Sequence, residues 1–168
     1  PQPLFNAVID EDEDYLHATA LEHETSPQTL MLLAYNSIKP SLESYASALG
    51  NYLPEEMFWQ KPGCPVCGSA PVLSVLDADG KRMLICGFCW SEWGVPRIQC
   101  PICLETDNRK LHYKISDQEK EYRLEVCDHC QSYWKTVDTR ELNRFFYAPL
   151  ETLVSAHLDL LMKNDHVA

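Results

Sequence analysis

The sequence has no apolar run near the roughly 18 residues that a membrane-crossing helix needs, so membrane insertion is not expected. It has no cationic start followed by an apolar stretch, the mark of a secretory leader, although it begins at Pro1 without an initiator Met, as a trimmed chain would. Basic residues are scarce: 14 Lys and Arg stand against 25 Asp and Glu, a formal net charge of −11. Residues 1–63 hold ten acids and two bases, net −8, and the remainder fifteen and twelve, net −3. Phosphate backbones repel such a chain, which argues against nucleic acid as a partner. The run Asp10-Glu11-Asp12-Glu13-Asp14 reads as a solvated helix start. No Ser-His-Asp set, pair of catalytic carboxylates or phosphate loop can be assembled, so no enzyme chemistry is indicated. Nor does any cysteine stand alone.

All eight cysteines fall in four Cys-x-x-Cys pairs, at 64/67, 86/89, 100/103 and 127/130. Such a pair puts two sulfurs on one tight turn, pointing the same way, which suits two ligands of a tetrahedral ion better than a disulfide scaffold. A catalytic dithiol usually sits at a helix start in a thioredoxin-like unit, whereas these pairs flank short strands and come in fours. Four pairs make two sites of four thiolates. The halves repeat: Cys64-Pro65-Val66-Cys67 matches Cys100-Pro101-Ile102-Cys103, and ICGFCWSEW at 85–93 matches VCDHCQSYW at 126–134, both C-x-x-C-x-S-x-W. The repeat groups Cys64, Cys67, Cys86 and Cys89 as one site and Cys100, Cys103, Cys127 and Cys130 as the other. A cross-braced arrangement, with pairs one and three against two and four, is the alternative.

Between the knuckles, VLSVL at 72–76, the turn Asp77-Ala78-Asp79-Gly80 and KRMLI at 81–85 predict a hairpin. In the second half Leu111, Tyr113 and Ile115 alternate with polar residues, Ser116 to Lys120 turns, and Tyr122, Leu124 and Val126 return. Each half is therefore expected to be a β-hairpin closed by a metal, too small to fold without it. Four thiolates suit a single zinc or a single iron, an iron–sulfur cluster being the weaker reading. Gly68 after the second cysteine makes CPVCG a rubredoxin-like knuckle, because glycine tolerates a left-handed turn; the other three knuckles lack it.

The flanks read as helical. Ser26-Pro27 starts a stretch with Leu30, Leu33, Ala34, Ile38, Leu42, Tyr45, Ala46 and Leu49 at helical spacing, stopped at Gly50, and Pro40 is expected to kink or split it. Pro54 is expected to start a short helix carrying Met57, Phe58 and Trp59. Asp138 with Glu141 resembles a capping box, and Pro149 opens a last helix with Leu150, Leu153, Val154, Leu158, Leu161 and Met162 on one face. These stripes are expected to cover the metal modules and form a core, the alternative being that one of them is a docking face for another protein. The six histidines (17, 23, 112, 129, 157 and 166) are not needed as ligands, and His129, inside a knuckle, is the best placed to hydrogen-bond a ligand. Trp93 and Trp134 are expected to pack against their own hairpins.

CPVCGSAPV at 64–72, ICGFCWSEWGVPRIQC at 85–100, KLHY at 110–113 and VCDHCQSYWKT at 126–136 resemble the formate dehydrogenase accessory proteins. The resemblance covers residues 62–137 and extends along the helical tail to about 163. Glu92, Trp93, Arg97, Tyr113, Asp128, Tyr133 and Lys135 agree with the family's pattern; the NDHVA ending and the short N-terminal region depart from it. The resemblance implies a cytoplasmic assembly factor, not an enzyme, that binds the catalytic subunit of formate dehydrogenase and aids its maturation. It also implies rubredoxin-like iron sites, and a partner surface that includes Glu92, Arg97, His112 and Tyr113. A zinc-ribbon interaction adaptor and a rubredoxin-type electron carrier are the other functional readings. The expected fold class is α+β: a helical region over 1–61, metal modules over 62–95 and 96–137, and a C-terminal helical segment over 138–168.

Overall fold

In the computed structural model, which describes residues 2–10, 12–52, 58–115 and 119–165, helices precede the cysteine-rich region, strands fill it, and helices follow. The chain divides into two units, Pro1–Tyr45 and Ala46–Ala168. In the first, α1 (Gln2–Ile9) and α2 (Glu13–Glu22) are followed by α3 (Pro27–Gly50). Asp12 caps α2 by accepting the Tyr15 amide at 3.0 Å, so part of the acidic run is indeed a helix start. The Ser26 hydroxyl accepts the Thr29 amide at 3.1 Å and Pro27 opens α3. Ala7, Val8, Leu16 and Ala34 form this unit's small core.

Pro40 does not split α3, which runs through it. One lost amide bond removes little of a 24-residue ladder, and side chains near the proline add bonds of their own. Asn36 and Ser37 donate to the Leu32 and Leu33 carbonyls at 2.7 Å, and Ser44 donates to the Pro40 carbonyl at 3.0 Å.

The second unit is built on one six-stranded sheet, ordered β3-β2-β1-β6-β5-β4. Its strands are β1 (Pro71–Leu76), β2 (Arg82–Cys86), β3 (Glu92–Val95), β4 (Leu111–Ile115), β5 (Tyr122–Cys127) and β6 (Tyr133–Asp138). The predicted hairpins are β1–β2 and β4–β5. Asp77 stabilises the first turn by accepting the Asp79 and Lys81 amides at 2.9 and 2.8 Å, and Gly80 takes a φ of 75°. The hairpins are not the whole of each half. The knuckle at 86–89 turns the chain so that Glu92–Val95 pairs back on β2, and the knuckle at 127–130 does the same for Tyr133–Asp138 on β5. β1 and β6 then pair in parallel, Ser74 opposite Thr136 and Leu76 opposite Asp138, which makes one sheet of the two halves.

Alternation along the strands gives the sheet two faces. Leu73, Val75, Ile85, Tyr122, Leu124 and Val137 form a core with Ala148, Leu158 and Met162 of the C-terminal helices. The other face carries Ser74, Arg82, Arg123, Trp134 and Thr136, which the register puts on the opposite parity.

The C-terminal segment departs from its expected form. No helix starts at Asp138: its buried carboxylate ends β6, accepting Arg123 and Arg140 at 2.6 Å each. The last helix is two, α4 (Ala148–Val154) and α5 (Ala156–Asp165), broken at Ser155, whose hydroxyl donates to the Glu151 carbonyl at 2.7 Å. The break leaves the helical phase unchanged: Ala148, Glu151, Ser155, Leu158 and Met162 form one buried stripe at spacings of three and four. Leu158 and Met162 are buried, while Leu150, Leu153, Val154 and Leu161 are exposed. The residue fully buried in α4 is Glu151, which accepts from Arg144 and from the Tyr122 hydroxyl at 2.7 Å. The helix expected from Pro54 falls mostly on 53–57 and lies outside the described residues, as does most of the turn at 116–120. Phe58 and Trp59 run alongside Gly94, whose carbonyl accepts the Trp59 amide at 3.0 Å.

Candidate metal centres

The four knuckles share one backbone geometry. The amide of each first cysteine donates to the carbonyl five residues on, at 2.8 to 2.9 Å: Cys64 to Ser69, Cys86 to Ser91, Cys100 to Glu105 and Cys127 to Ser132. The residue after each second cysteine is left-handed: Gly68 at φ 79°, Trp90 at 59°, Leu104 at 64° and Gln131 at 58°. The glycine that marks the first knuckle thus reports a requirement of all four. At the other three a side chain is held where it costs about 1–2 kcal/mol, a strain that persists only when the surroundings impose it. The turn aims amides at sulfur. Val66 donates to Cys64 Sγ at 3.4 Å, Phe88 to Cys86 Sγ at 3.3 Å and Ile102 to Cys100 Sγ at 3.4 Å.

The sulfurs gather in the two groups that the repeat predicts, Cys64, Cys67, Cys86 and Cys89, and Cys100, Cys103, Cys127 and Cys130, each within 4.8 Å. The cross-braced alternative is not the arrangement present. Closest cross-knuckle separations are 3.4 and 3.6 Å in the first group and 3.6 and 3.8 Å in the second. A disulfide needs about 2.05 Å, whereas a tetrahedron with metal–sulfur bonds of about 2.3 Å has edges of about 3.8 Å. All eight cysteines are free thiols. Each group could therefore hold one metal ion.

The electrostatics suit a cation. Cys64 is pulled down to about 5, chiefly by the Cys86 thiol and then by the Cys67 and Val66 amides; the same pairing, with burial, pushes Cys86 up. In the second group burial pushes Cys100 up to about 12; burial presses Cys130 upward too, but Ser132 outweighs it and holds that thiol at about 6. Four thiols this close cannot all ionise alone, and a divalent ion resolves the conflict by binding all four as thiolates.

The centres differ in exposure. Only Cys67 of the first group is partly exposed, against Cys103 and Cys130 of the second. His129 Nδ1 lies 3.5 Å from Cys103 Sγ, the contact expected of it. The serine of C-x-x-C-x-S-x-W proves to be a sulfur partner, with Ser91 Oγ 3.1 Å from Cys89 Sγ. Its place in both repeats was the signal. Trp134 packs with Cys100 and Cys127 as expected. His112 Nε2 sits 2.7 Å from Asp128 Oδ2, and His157 Nε2 3.0 Å from Glu119 Oε2; His166 lies outside the described residues.

Arg97, His112 and Tyr113 come together at one cleft, Tyr113 on the polar face of the sheet and His112, one residue earlier in β4, on the opposite parity. They line a cleft of about 350 Å³ with Arg82, Gln99 and Arg123. Glu92 is exposed at the start of β3 and is not part of that lining. Arg82 was missed by sequence reasoning: it occupies a strand position and is only 3% exposed.

Two four-cysteine centres, each closing three strands of a shared sheet, define a tandem zinc-ribbon-like metal protein. Residues 63–97 match the family model for the FdhE central domain. The chain is 31% identical over 149 residues to the Protein FdhE homolog of Aquifex aeolicus (strain VF5), covering 86% of this chain and 51% of the relative. It is 33% identical over 136 residues to Protein FdhE of Escherichia coli (strain K12), covering 76% and 43%. The crystal structure of the FdhE protein from Pseudomonas aeruginosa matches with a TM-score of 0.56 at 32% identity, over 62% of this chain and 37% of that one. The chain therefore carries the FdhE central domain over residues 63–97 and is similar to FdhE proteins over most of its own length. It spans about half the length of the curated relatives it matches. Among the described residues no helix is long and apolar enough to cross a membrane.

Proposed function

We propose that the chain is a non-catalytic, cytoplasmic accessory protein that binds the catalytic subunit of formate dehydrogenase and assists its maturation. In this reading each four-cysteine group holds one iron or zinc ion, with Cys64, Cys67, Cys86 and Cys89 as ligands of the first and Cys100, Cys103, Cys127 and Cys130 of the second. Bound metal supplies folding energy to knuckles strained at Trp90, Leu104 and Gln131, and iron would add one-electron redox capacity. The observation that carries the reading is the cleft. Arg97, His112 and Tyr113, none of them needed for metal ligation, are brought together beside the junction of the two halves. Arg97 is exposed and Tyr113 is 65% exposed, as residues meeting a partner should be.

The test is capture of the catalytic subunit by metal-loaded chain carrying Arg97→Ala or Tyr113→Ala. Weakened capture at unchanged metal content supports the reading. Unchanged capture, or loss of metal with Arg97→Ala, refutes the role of this face. The partial exposure of Cys103 and Cys130 favours a second reading, electron transfer at the second site. It requires two irons per chain after anaerobic purification and a red ferric–thiolate spectrum that bleaches reversibly; two zincs and no colour reject it.

A further inference from the structure

The repeat allows the two halves to be compared residue by residue. Arg82 stands four residues before Cys86, and Arg123 stands four before Cys127. Asp138 follows Trp134 by four residues; Arg97 follows Trp93 by four. In the second half these equivalent positions form an ion pair, with Arg123 Nη2 2.6 Å from Asp138 Oδ2. In the first half the carboxylate is replaced by a second arginine.

Arg82 is nevertheless the more buried of the two, at 3% exposure. Its hydrogen bonds go to neutral oxygens: Nε to Ser74 Oγ at 2.8 Å and Nη1 to the carbonyls of Gln99 at 2.6 Å and Arg97 at 3.4 Å. Nη2 is buried without a partner, and among the described residues no carboxylate lies within ion-pair distance of the guanidinium. An isolated buried cation costs several kcal/mol, so a negative charge must stand nearby. Glu125 is one source, though its Oε1 already accepts the Thr136 hydroxyl.

The rest of the surroundings point to the second centre. Gln99 immediately precedes Cys100. The Arg82 guanidinium lies 5.3 Å from the centroid of the Trp134 ring, and Trp134 is packed with Cys100 and Cys127. Burial pulls Arg82 below the ordinary guanidinium range, while Glu125 and Cys100 pull it back. A divalent ion in four thiolates carries a formal charge of about −2 and presents that charge to Arg82 through low-dielectric surroundings.

We infer that Arg82, contributed by the first half, is the buried counter-charge of the second four-cysteine centre and stabilises its metal-bound form. The inference rests on the second site holding a metal. It couples the halves by more than sheet pairing: the strand leading to one centre carries the charge that the other needs.

The experiment uses the full zinc-loaded chain with Arg82→Lys and Arg82→Met. Zinc release to a chromogenic chelator is followed, and cadmium NMR of the cadmium-substituted protein assigns each loss to a site. Arg82→Met should weaken retention at the second site about ten- to a hundredfold, the usual range for residues just outside a ligand shell. The first site, to which β2 leads directly, should hold its metal, and Arg82→Lys should recover most of the loss. Arg97→Asp, an exposed change that restores the carboxylate of the equivalent position, should draw on the Arg82 charge and give a smaller loss at the second site alone. Equal losses at both sites, or equal losses for Lys and Met, would make Arg82 a packing residue and overturn the proposal. So would retention at the second site unchanged in every variant. Absence of metal from the second site of the unaltered chain would overturn both this proposal and the reading of the site beneath it.

Discussion

Arg144→Ala should strand a buried carboxylate, and the cost should depend on pH in a direction set by the structure. Glu151 is fully buried on α4 and accepts from Arg144 and from the Tyr122 hydroxyl. Burial alone would raise its pKa; Arg144 and Tyr122 outweigh that and hold it below the ordinary carboxylate value. Without the arginine only the tyrosine bond opposes burial, so the folded-state pKa rises above the unfolded value. A group raised in this way stabilises the fold below its unfolded pKa and loses that contribution as pH rises through the folded one. Breaking a buried pair costs about 3–5 kcal/mol, and the lower end applies because the Arg144 side chain is 40% exposed and water can reach the gap. The deficit should therefore be about 3 kcal/mol near neutral pH, level off above it, and shrink as pH falls toward the ordinary carboxylate value of about 4.3, by at most about 1.4 kcal/mol per unit. Urea unfolding of the metal-loaded protein across that range measures it. Arg144→Leu with Glu151→Leu should recover stability to within about 1 kcal/mol of the unaltered chain, because no charge is then left buried. A deficit that is flat with pH, or a double variant no better than Arg144→Ala, would refute the view that a stranded carboxylate is the cause.

Two further outcomes follow from the knuckles. Gly63→Ala should open the first knuckle and lower its zinc affinity, because a Cβ there would meet the Gly68 carbonyl oxygen at 2.5 Å. Gly68→Ala, left-handed but in open space, should cost only about 1–2 kcal/mol and leave one zinc bound at the first site, as elemental analysis and thermal unfolding can check. Cys100→Ser should reduce bound metal from two equivalents to one and leave the first site loaded; loss of both ions would mean that the sites do not form independently.

Much of the candidate site was legible because Cys-x-x-Cys is a local geometry. The turn that aims two sulfurs the same way is completed within six residues, so spacing and repeat together gave the grouping of Cys64, Cys67, Cys86 and Cys89 apart from Cys100, Cys103, Cys127 and Cys130. The hairpins were legible for the same reason, through alternation and the Asp79-Gly80 turn. The third strand of each half was not. Glu92–Val95 has only four residues, and Tyr133–Asp138, though six long, is buried on both faces and so does not alternate; both pair because the knuckle folds them back onto a neighbour. The C-terminal helices misled because the buried stripe includes the polar Glu151 and Ser155, so the apolar residues alone do not mark it.

Sequence alone determined the ligand types, their grouping, the acidic balance and the likeness to FdhE proteins, since each is written in residue identity and spacing. Only the tertiary structure decided that the two halves share one sheet through β1 and β6, that Arg97, His112 and Tyr113 meet in a cleft while Glu92 does not, and that Arg82 is buried beside the second centre. Those facts depend on pairings between residues some sixty positions apart, such as Leu76 and Asp138. No local pattern encodes such a pairing; it is selected by which faces can be buried together once both knuckles have closed.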